Sequence, residues 1–125
     1  DNYSITNEIK NTNEVIKEVI NEEPVFLRPP YGNTNQNIKN ISNMYTILWN
    51  LDTEDWKYKN VNTIVNNALK DVKDGSIILM HDTYKRTSEA VEILVPKLIE
   101  KGYQIVTISE LKEAKKIKNK LNEKQ

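Results

Sequence analysis

Three short segments of this chain combine an apolar run with residues that could carry out acid–base or anion-binding chemistry. In chain order they are FLRPPYG at residues 26–32, WNLDTEDW at residues 49–56 and IILMHD at residues 77–82. Each apolar run stops at charged or backbone-restricting residues, as strands do when their carboxyl ends carry a site. Arg28, Asp55 and His81 are therefore the first candidates for catalytic roles.

His81 is the only histidine of the chain, and an imidazole titrates near pH 7 without help from its surroundings. A neighbouring carboxylate holds the imidazole in one tautomer and suits it to general acid catalysis. Asp55 is the candidate partner. The alternative is that His81 is a hydrogen-bonded structural residue at a strand end. Asp52 and Asp82 fit structural roles better, and Asp82 is expected to cap the turn that follows it.

Arginine occurs at only two positions of the chain, Arg28 and Arg86, among 18 basic residues. A guanidinium binds an anion through two parallel hydrogen bonds, which lysine cannot do. The stiff turn that follows Arg28 is expected to leave the N–H of Tyr31 or Gly32 without a ladder partner, as an oxyanion hole requires. The alternative for Arg28 is an ordinary surface residue.

Helices and strands alternate in the pattern that positions these residues. Apolar spacing predicts helices over residues 4–21, 35–43 and 61–72, the last ended by Gly75. It also predicts a helix from about Ser88 to Gly102 that Pro96 kinks or splits, and a terminal helix capped by Ser109. Strands are predicted at 25–27, 45–51, 76–80 and 103–108. The order indicates an α/β fold of parallel βαβ units, about half of a (β/α) barrel of roughly 250 residues.

Composition excludes several classes of function. The 125 residues suffice for one domain with a core. Basic and acidic residues both number 18, so the chain lacks the positive charge typical of nucleic-acid binding. The absence of cysteine excludes disulfides and thiolate sites. The sequence has neither an apolar run of about 18 residues nor a start typical of a signal peptide. One histidine and scattered carboxylates predict no metal site within the chain.

Taken together, Arg-Pro-Pro-Tyr-Gly at 28–32, Asp-x-x-Asp-Trp at 52–56 and Leu-x-His-Asp at 79–82 resemble the last three motifs of the polysaccharide deacetylases. These are the carbohydrate esterases of family 4, which share the nodulation-deacetylase homology domain. The segment KGYQIVTISEL at 101–111 is similar to the family's last strand and helix. The resemblance covers residues 1–111 as the C-terminal half of the domain, and it leaves 112–125 as a Lys-rich helix or tail.

The resemblance implies a distorted, incomplete (β/α) barrel that removes N- or O-acetyl groups from peptidoglycan, chitin-like polymers or xylan. It also implies a divalent metal, often zinc, held by one aspartate and two histidines. By the same resemblance Arg28 would orient the catalytic base, and the Tyr31 N–H would stabilise the oxyanion.

The resemblance further implies that Asp55 tunes His81, which would protonate the leaving amine or alkoxide. Trp56 and Leu79 would line the pocket for the acetyl group. From the residues alone, these two could equally belong to the core.

The family's first two motifs, which supply the base and all three metal ligands, have no counterpart here. We therefore expect this chain alone to hold no catalytic metal, to be inactive and to expose a sheet edge. Its expected partners are an acetylated polysaccharide and the missing half of the domain or a second chain. The resemblance places the intact protein outside the cell or at the cell surface of a bacterium. The alternatives are a glycan-binding protein without turnover and a structural fragment.

Overall fold

Helices and short parallel strands alternate along the chain, as the sequence predicts. The computed structural model describes residues 1–124, so the last residue of the predicted tail at 112–125 lies outside the described residues. The elements are α1 (Asn2–Ile20), β1 (Phe26–Leu27), α2 (Gln36–Ser42), β2 (Tyr45–Thr46), β3 (Leu51–Asp52), α3 (Val61–Asp71), β4 (Ile78–Leu79), α4 (Lys85–Glu100) and α5 (Ile108–Glu123).

These elements belong to two compact units, one comprising Asp1–Leu48 and one beginning at Trp49. In the first unit α1 packs against α2, and β1 pairs with β2 in parallel. The Asp1 carboxylate caps α1 by accepting the Ser4 N–H at 2.8 Å. None of the residues of α1 is buried, so much of the apolar surface of this helix is exposed.

The second unit is built around a parallel pair of strands and two packed helices. β3 pairs with β4 in the register Leu51 to Ile78 and Asp52 to Leu79, and α3 packs against α4. Their apolar faces form the core, which comprises Leu51, Ile64, Val65, Ala68, Ala90, Leu94 and Leu98. Because β3 and β4 are parallel, the residues after each strand emerge at the same edge of the pair. The loops that contain Asp55 and His81 follow at this edge.

Hydrogen-bond partners explain two departures from the predicted strands. The predicted strand 45–51 is divided, because β2 pairs with β1 whereas β3 pairs with β4. The predicted strand 103–108 is wrong: within the described residues, 103–107 belong to no helix or strand. Its Tyr103 N–H bonds to the Leu98 carbonyl at 3.0 Å. Alternation predicts that a segment can be a strand, but a ladder also needs a neighbour.

The helices also differ from prediction at their ends and at Pro96. α4 is one helix that runs through Pro96, and the predicted split is wrong. A proline removes one hydrogen bond, but Leu94 and Leu98 on either side of it are buried in the core. Thr107, not Ser109, caps α5, through a reciprocal capping box with Glu110.

Helix α3, the first helix of the second unit, ends slightly earlier than the predicted residue 72. α3 stops at Asp71, and Gly75 lies beyond it with a φ of 84° in the turn before β4. Among residues 1–124, none of the helices is both long enough and apolar enough to cross a membrane.

Candidate active site

A tight turn after β3 places Asp55 next to the end of β4. The Thr53 hydroxyl donates to the Leu79 carbonyl at 2.9 Å, which ties the two strand ends together. Glu54 then adopts a left-handed conformation with a φ of 54°, and its N–H donates to the Asp52 carboxylate at 2.9 Å. This turn directs Asp55 inward, and Asp52 has the structural role that the sequence indicates.

Asp55 is fully buried and accepts three hydrogen bonds through its carboxylate. Oδ1 lies 2.7 Å from Nδ1 of His81. Oδ2 accepts the backbone N–H of His81 at 2.6 Å and the hydroxyl of Thr87 at 2.7 Å. The contact between Asp55 and His81 that the sequence predicts is therefore present.

Burial raises the pKa of Asp55, but the hydrogen bonds from the His81 ring, the His81 N–H and the Thr87 hydroxyl outweigh it, and the pKa lies below its ordinary 3.8. A carboxylate that accepts several hydrogen bonds favours its charged form. Asp55 is therefore ionised at neutral pH, which allows it to hold one tautomer of His81.

His81 connects the buried carboxylate to the surface. Its side chain is 36% exposed, and because an ionised carboxylate only accepts hydrogen bonds, Nδ1 carries the hydrogen that faces Asp55. Within residues 1–124, Nε2 has no hydrogen-bond partner. The ring of Tyr84 meets the imidazole edge-on at 6.1 Å between centroids. Nε2 is thus the nitrogen available to exchange a proton with a ligand.

Sequence reasoning missed two residues at the start of α4 that hold Asp55. Thr87 is 4% exposed and binds the carboxylate. Arg86 donates from Nε to the Asp55 carbonyl at 2.8 Å and from a terminal nitrogen to the Trp56 carbonyl at 3.4 Å. Arg28 was a candidate because arginine is rare in this chain, and the same reasoning applies to Arg86. Thr87 gives no comparable signal, because it is one of nine threonines in the chain and no motif singles it out.

Asp82 does not cap the following turn as expected. It is exposed, its carboxylate has no hydrogen bond among residues 1–124, and α4 begins after Tyr84 without a side-chain cap. The turn is closed instead by the Thr87 N–H, which donates to the Tyr84 carbonyl at 3.0 Å.

Trp56 and Leu79 flank the Asp55–His81 pair in sequence but differ in exposure. Leu79 is buried, whereas Trp56 is 51% exposed. A cavity of about 530 Å³ in the same unit lies elsewhere, around Ile77 and Ile78 and the segment 102–108. It is lined by neither Trp56 nor Leu79, so their role in an acetyl pocket stays a prediction.

Arg28 and Tyr31 lie in the first unit, in and beside the turn after β1. Arg28 is exposed, and within residues 1–124 it has no hydrogen bond or ion pair. Pro30–Gly32 form a 3₁₀ turn in which Tyr31 is left-handed, with a φ of 57°. The Gly32 N–H donates to the Pro29 carbonyl at 3.0 Å, so Gly32 is not the free donor. The Tyr31 N–H has no partner among the described residues, and its side chain is exposed.

The described residues do not fit a metal site. Residues 1–124 contain no group of three or more His, Cys, Asp or Glu side chains arranged to hold a metal ion. The carboxylate oxygens of Asp55 are both engaged by donors, which is the opposite of what a metal ligand needs.

The model of the polysaccharide deacetylase family matches residues 1–47. Over 109 residues the chain is 38% identical to peptidoglycan-N-acetylmuramic acid deacetylase PdaC of Bacillus subtilis, an alignment that covers 87% of this chain and 23% of PdaC. The chain belongs to the polysaccharide deacetylase family. Within this family, it corresponds to the C-terminal portion of the domain.

Other relatives show the same relation. Peptidoglycan-N-acetylglucosamine deacetylase PgdA of Listeria monocytogenes is 36% identical over 86% of this chain. The solved structure of Bacillus subtilis PdaC superimposes with a TM-score of 0.92 at 35% identity. BA3943 of Bacillus anthracis, described as a pseudoenzyme of carbohydrate esterase family 4, superimposes with a TM-score of 0.82 at 30% identity, over 89% of this chain and 40% of that protein.

This chain spans only part of each relative. It covers about a quarter of the length of PdaC and of PgdA, 23% in each case, and 59% of the solved PdaC chain.

Proposed function

We propose that this chain supplies the Arg, Asp and His part of the active site of a metal-dependent hydrolase that removes acetyl groups from a polysaccharide. The observation that carries the proposal is the buried, ionised Asp55 bonded at 2.7 Å to Nδ1 of a partly exposed His81. The names of PdaC and PgdA favour peptidoglycan over chitin-like polymers or xylan as the substrate.

His81 acts as the general acid in this proposal. The hydrogen bond from Nδ1 to Asp55 fixes the ring, so Nε2 protonates the leaving amine of an N-acetyl group, or the leaving alkoxide of an O-acetyl ester. A positioned general acid contributes about 10²- to 10⁴-fold to a rate. Asp55 orients the ring and stabilises its protonated form but does not itself transfer the proton.

The remaining roles rest on the family resemblance and on local geometry. The exposed Arg28 guanidinium is free to orient a catalytic carboxylate. The Tyr31 N–H, which has no partner within the described residues, is free to bond the oxyanion. Trp56 and Leu79 contribute walls to the acetyl pocket.

A divalent metal, zinc by the resemblance, completes the proposal, with ligands that are not in this chain. When bound, such a metal activates water and polarises the acetyl carbonyl. Residues 1–124 do not themselves fit a metal site.

We further propose that activity requires the rest of the domain, in a distorted, incomplete (β/α) barrel. The support lies in the second unit, where residues 103–107 are not in a ladder and the adjoining cavity is lined mostly by apolar side chains. Alone, the chain is then inactive, and its macromolecular partner is the missing half of the domain or a second chain. Since peptidoglycan lies outside the bacterial membrane, the protein acts outside the cell or at its surface.

The test is acetate release by the product of the complete reading frame that encodes this chain. Acetylated peptidoglycan, chitin oligomers and acetylated xylan serve as parallel substrates, with and without a chelator. We expect release from peptidoglycan, and a fall in kcat of about 10²- to 10⁴-fold on His81→Ala. Lys97→Gln, an exposed change on α4, is the matched control and should leave kcat unchanged. Equal kcat for His81→Ala and the control would exclude His81 as the general acid.

The second candidate is a glycan-binding protein without turnover, favoured by the similarity to the pseudoenzyme BA3943. It predicts retention of the protein on insoluble peptidoglycan with no release of acetate at any metal concentration. A third possibility, a purely structural fragment, predicts neither retention nor release.

A further inference from the structure

Thr87 makes an unusual contact for a threonine in the first turn of a helix. Such hydroxyls ordinarily bond to their own backbone within three or four residues. Instead, the Thr87 hydroxyl donates at 2.7 Å to Oδ2 of Asp55, 32 residues away, and the side chain is buried. A backbone carbonyl in the same helical turn could have accepted a hydrogen bond from this hydroxyl. Its bond to the distant Asp55 carboxylate therefore indicates a specific role.

The Thr87 bond acts on the orientation of the carboxylate rather than on its position. Arg86 already fixes the peptide of Asp55 through the carbonyl oxygen, and its guanidinium stacks 4.0 Å from the ring centroid of Tyr84. The bond from Arg86 does not restrict rotation of the Asp55 side chain about Cα–Cβ and Cβ–Cγ. Thr87 and the His81 N–H both hold Oδ2, and this leaves Oδ1 directed at Nδ1 of the ring.

We propose that Thr87 is a positioning residue that locks the Asp55 carboxylate so that Oδ1 is presented to Nδ1 of His81. The inference rests on the proposed function for its importance in catalysis, but the lock itself is a property of this chain. Thr87 touches neither substrate nor the reacting atoms, and acts only through Asp55. A hydroxyl that donates to a carboxylate also stabilises its charged form, which agrees with the lowered pKa of Asp55.

The test is NMR of the complete protein that contains this chain, in which the imidazole signal that His81→Ala removes is assigned to His81. We expect Thr87→Val to speed exchange of the His81 Nδ1 proton with solvent by about tenfold, the factor for one charge-assisted hydrogen bond. The Asp55 carboxyl pKa, followed by ¹³C shifts, should rise. Thr87→Ser keeps the hydroxyl and should restore both values.

Thr53→Val is the matched control. It also removes a buried hydroxyl at the same strand ends, but that hydroxyl bonds to the Leu79 carbonyl and not to Asp55. It should lower stability without changing either NMR value. If Thr87→Val does not fold, Thr87→Ala replaces it.

Two results would overturn the proposal: equal effects of Thr87→Val and Thr53→Val, or failure of Thr87→Ser to restore the wild-type values. Because the measurement needs no turnover, its outcome is separate from that of the acetate assay. If Thr87→Val leaves the exchange rate and the Asp55 pKa unchanged, the positioning role of Thr87 is refuted even in an active protein. If no acetate is released, the proposed function is refuted even where Thr87 orients Asp55.

Discussion

Asp55→Asn should change which nitrogen of His81 carries the proton. The amide keeps the shape of the carboxylate but has one acceptor oxygen and an NH₂ group with two N–H donors. Its oxygen can still accept from the His81 N–H and from Thr87, as Oδ2 does now. Its NH₂ group then faces Nδ1 of the ring, which must become an acceptor. The variant therefore places His81 in the Nε2–H tautomer and leaves the second N–H of the buried amide without an acceptor.

The cost to stability follows from the loss of charge. Three hydrogen bonds to a carboxylate become neutral ones, and a bond to a charged group is worth about 1 kcal/mol more than a neutral one. The amide is cheaper to bury than a charge, which offsets part of this loss. We expect the free energy of unfolding to fall by roughly 1–3 kcal/mol at pH 7.

The difference in unfolding free energy between wild type and Asp55→Asn should depend on pH in a defined direction. Since the pKa of Asp55 is lowered on folding from an ordinary 3.8, its charge contributes stability that is complete above the unfolded pKa and lost as the pH falls through the folded pKa. The gap between wild type and Asp55→Asn should therefore be widest above about pH 5 and should decrease progressively as the pH falls below about 4.

Denaturant unfolding of both proteins at pH 7, 5, 4 and 3, at constant ionic strength, measures the gap. ¹⁵N NMR of the imidazole identifies the tautomer. The reasoning is refuted if the gap is as wide at pH 3 as at pH 7, or if His81 of the variant keeps its proton on Nδ1.

Three further substitutions test the scaffold. Leu94→Ala, at a site 2% exposed between α3 and α4, should cost about 2–5 kcal/mol in denaturant unfolding; a loss below 1 kcal/mol would mean that the core is not packed as described. Thr107→Ala removes the cap of α5 and should cost about 0.5–2 kcal/mol, whereas Thr107→Ser should be near wild type. Gly102→Ala meets no atom within 4 Å but keeps a φ of 92°, so it should cost about 1–2 kcal/mol from backbone strain alone. A neutral Gly102→Ala would show that the turn relaxes freely.

Helical periodicity predicted the elements that depend on local sequence. The apolar stripes of α1 and α3 gave these helices to within a few residues, because one apolar face and a capping residue specify a helix. The parallel arrangement of strands also followed from their alternation with helices. The contact between Asp55 and His81 could be predicted because the ends of neighbouring parallel strands converge.

The errors lie where the outcome depends on a distant partner. Residues 103–108 have the composition of a strand, but no neighbouring strand pairs with them in the described chain. Thr87 holds Asp55 from a helix 32 residues away, and no spacing rule links the two positions. The cap of α5 is a local exception: Ser109 and Thr107 are both good caps, and the position of Glu110 three residues after Thr107 distinguishes them. The catalytic roles assigned to individual residues stay predictions.

One oxygen atom, Oδ2 of Asp55, accepts hydrogen bonds from both sides of the connection between β4 and α4. One donor is the backbone N–H of His81, and the other is the hydroxyl of Thr87. Surface loops ordinarily tolerate insertions and deletions during evolution. Here we expect a change in loop length to move one of these two donors away from a buried charge. In homologous sequences, the interval between these two positions should therefore vary less than the lengths of the other connections in the fold.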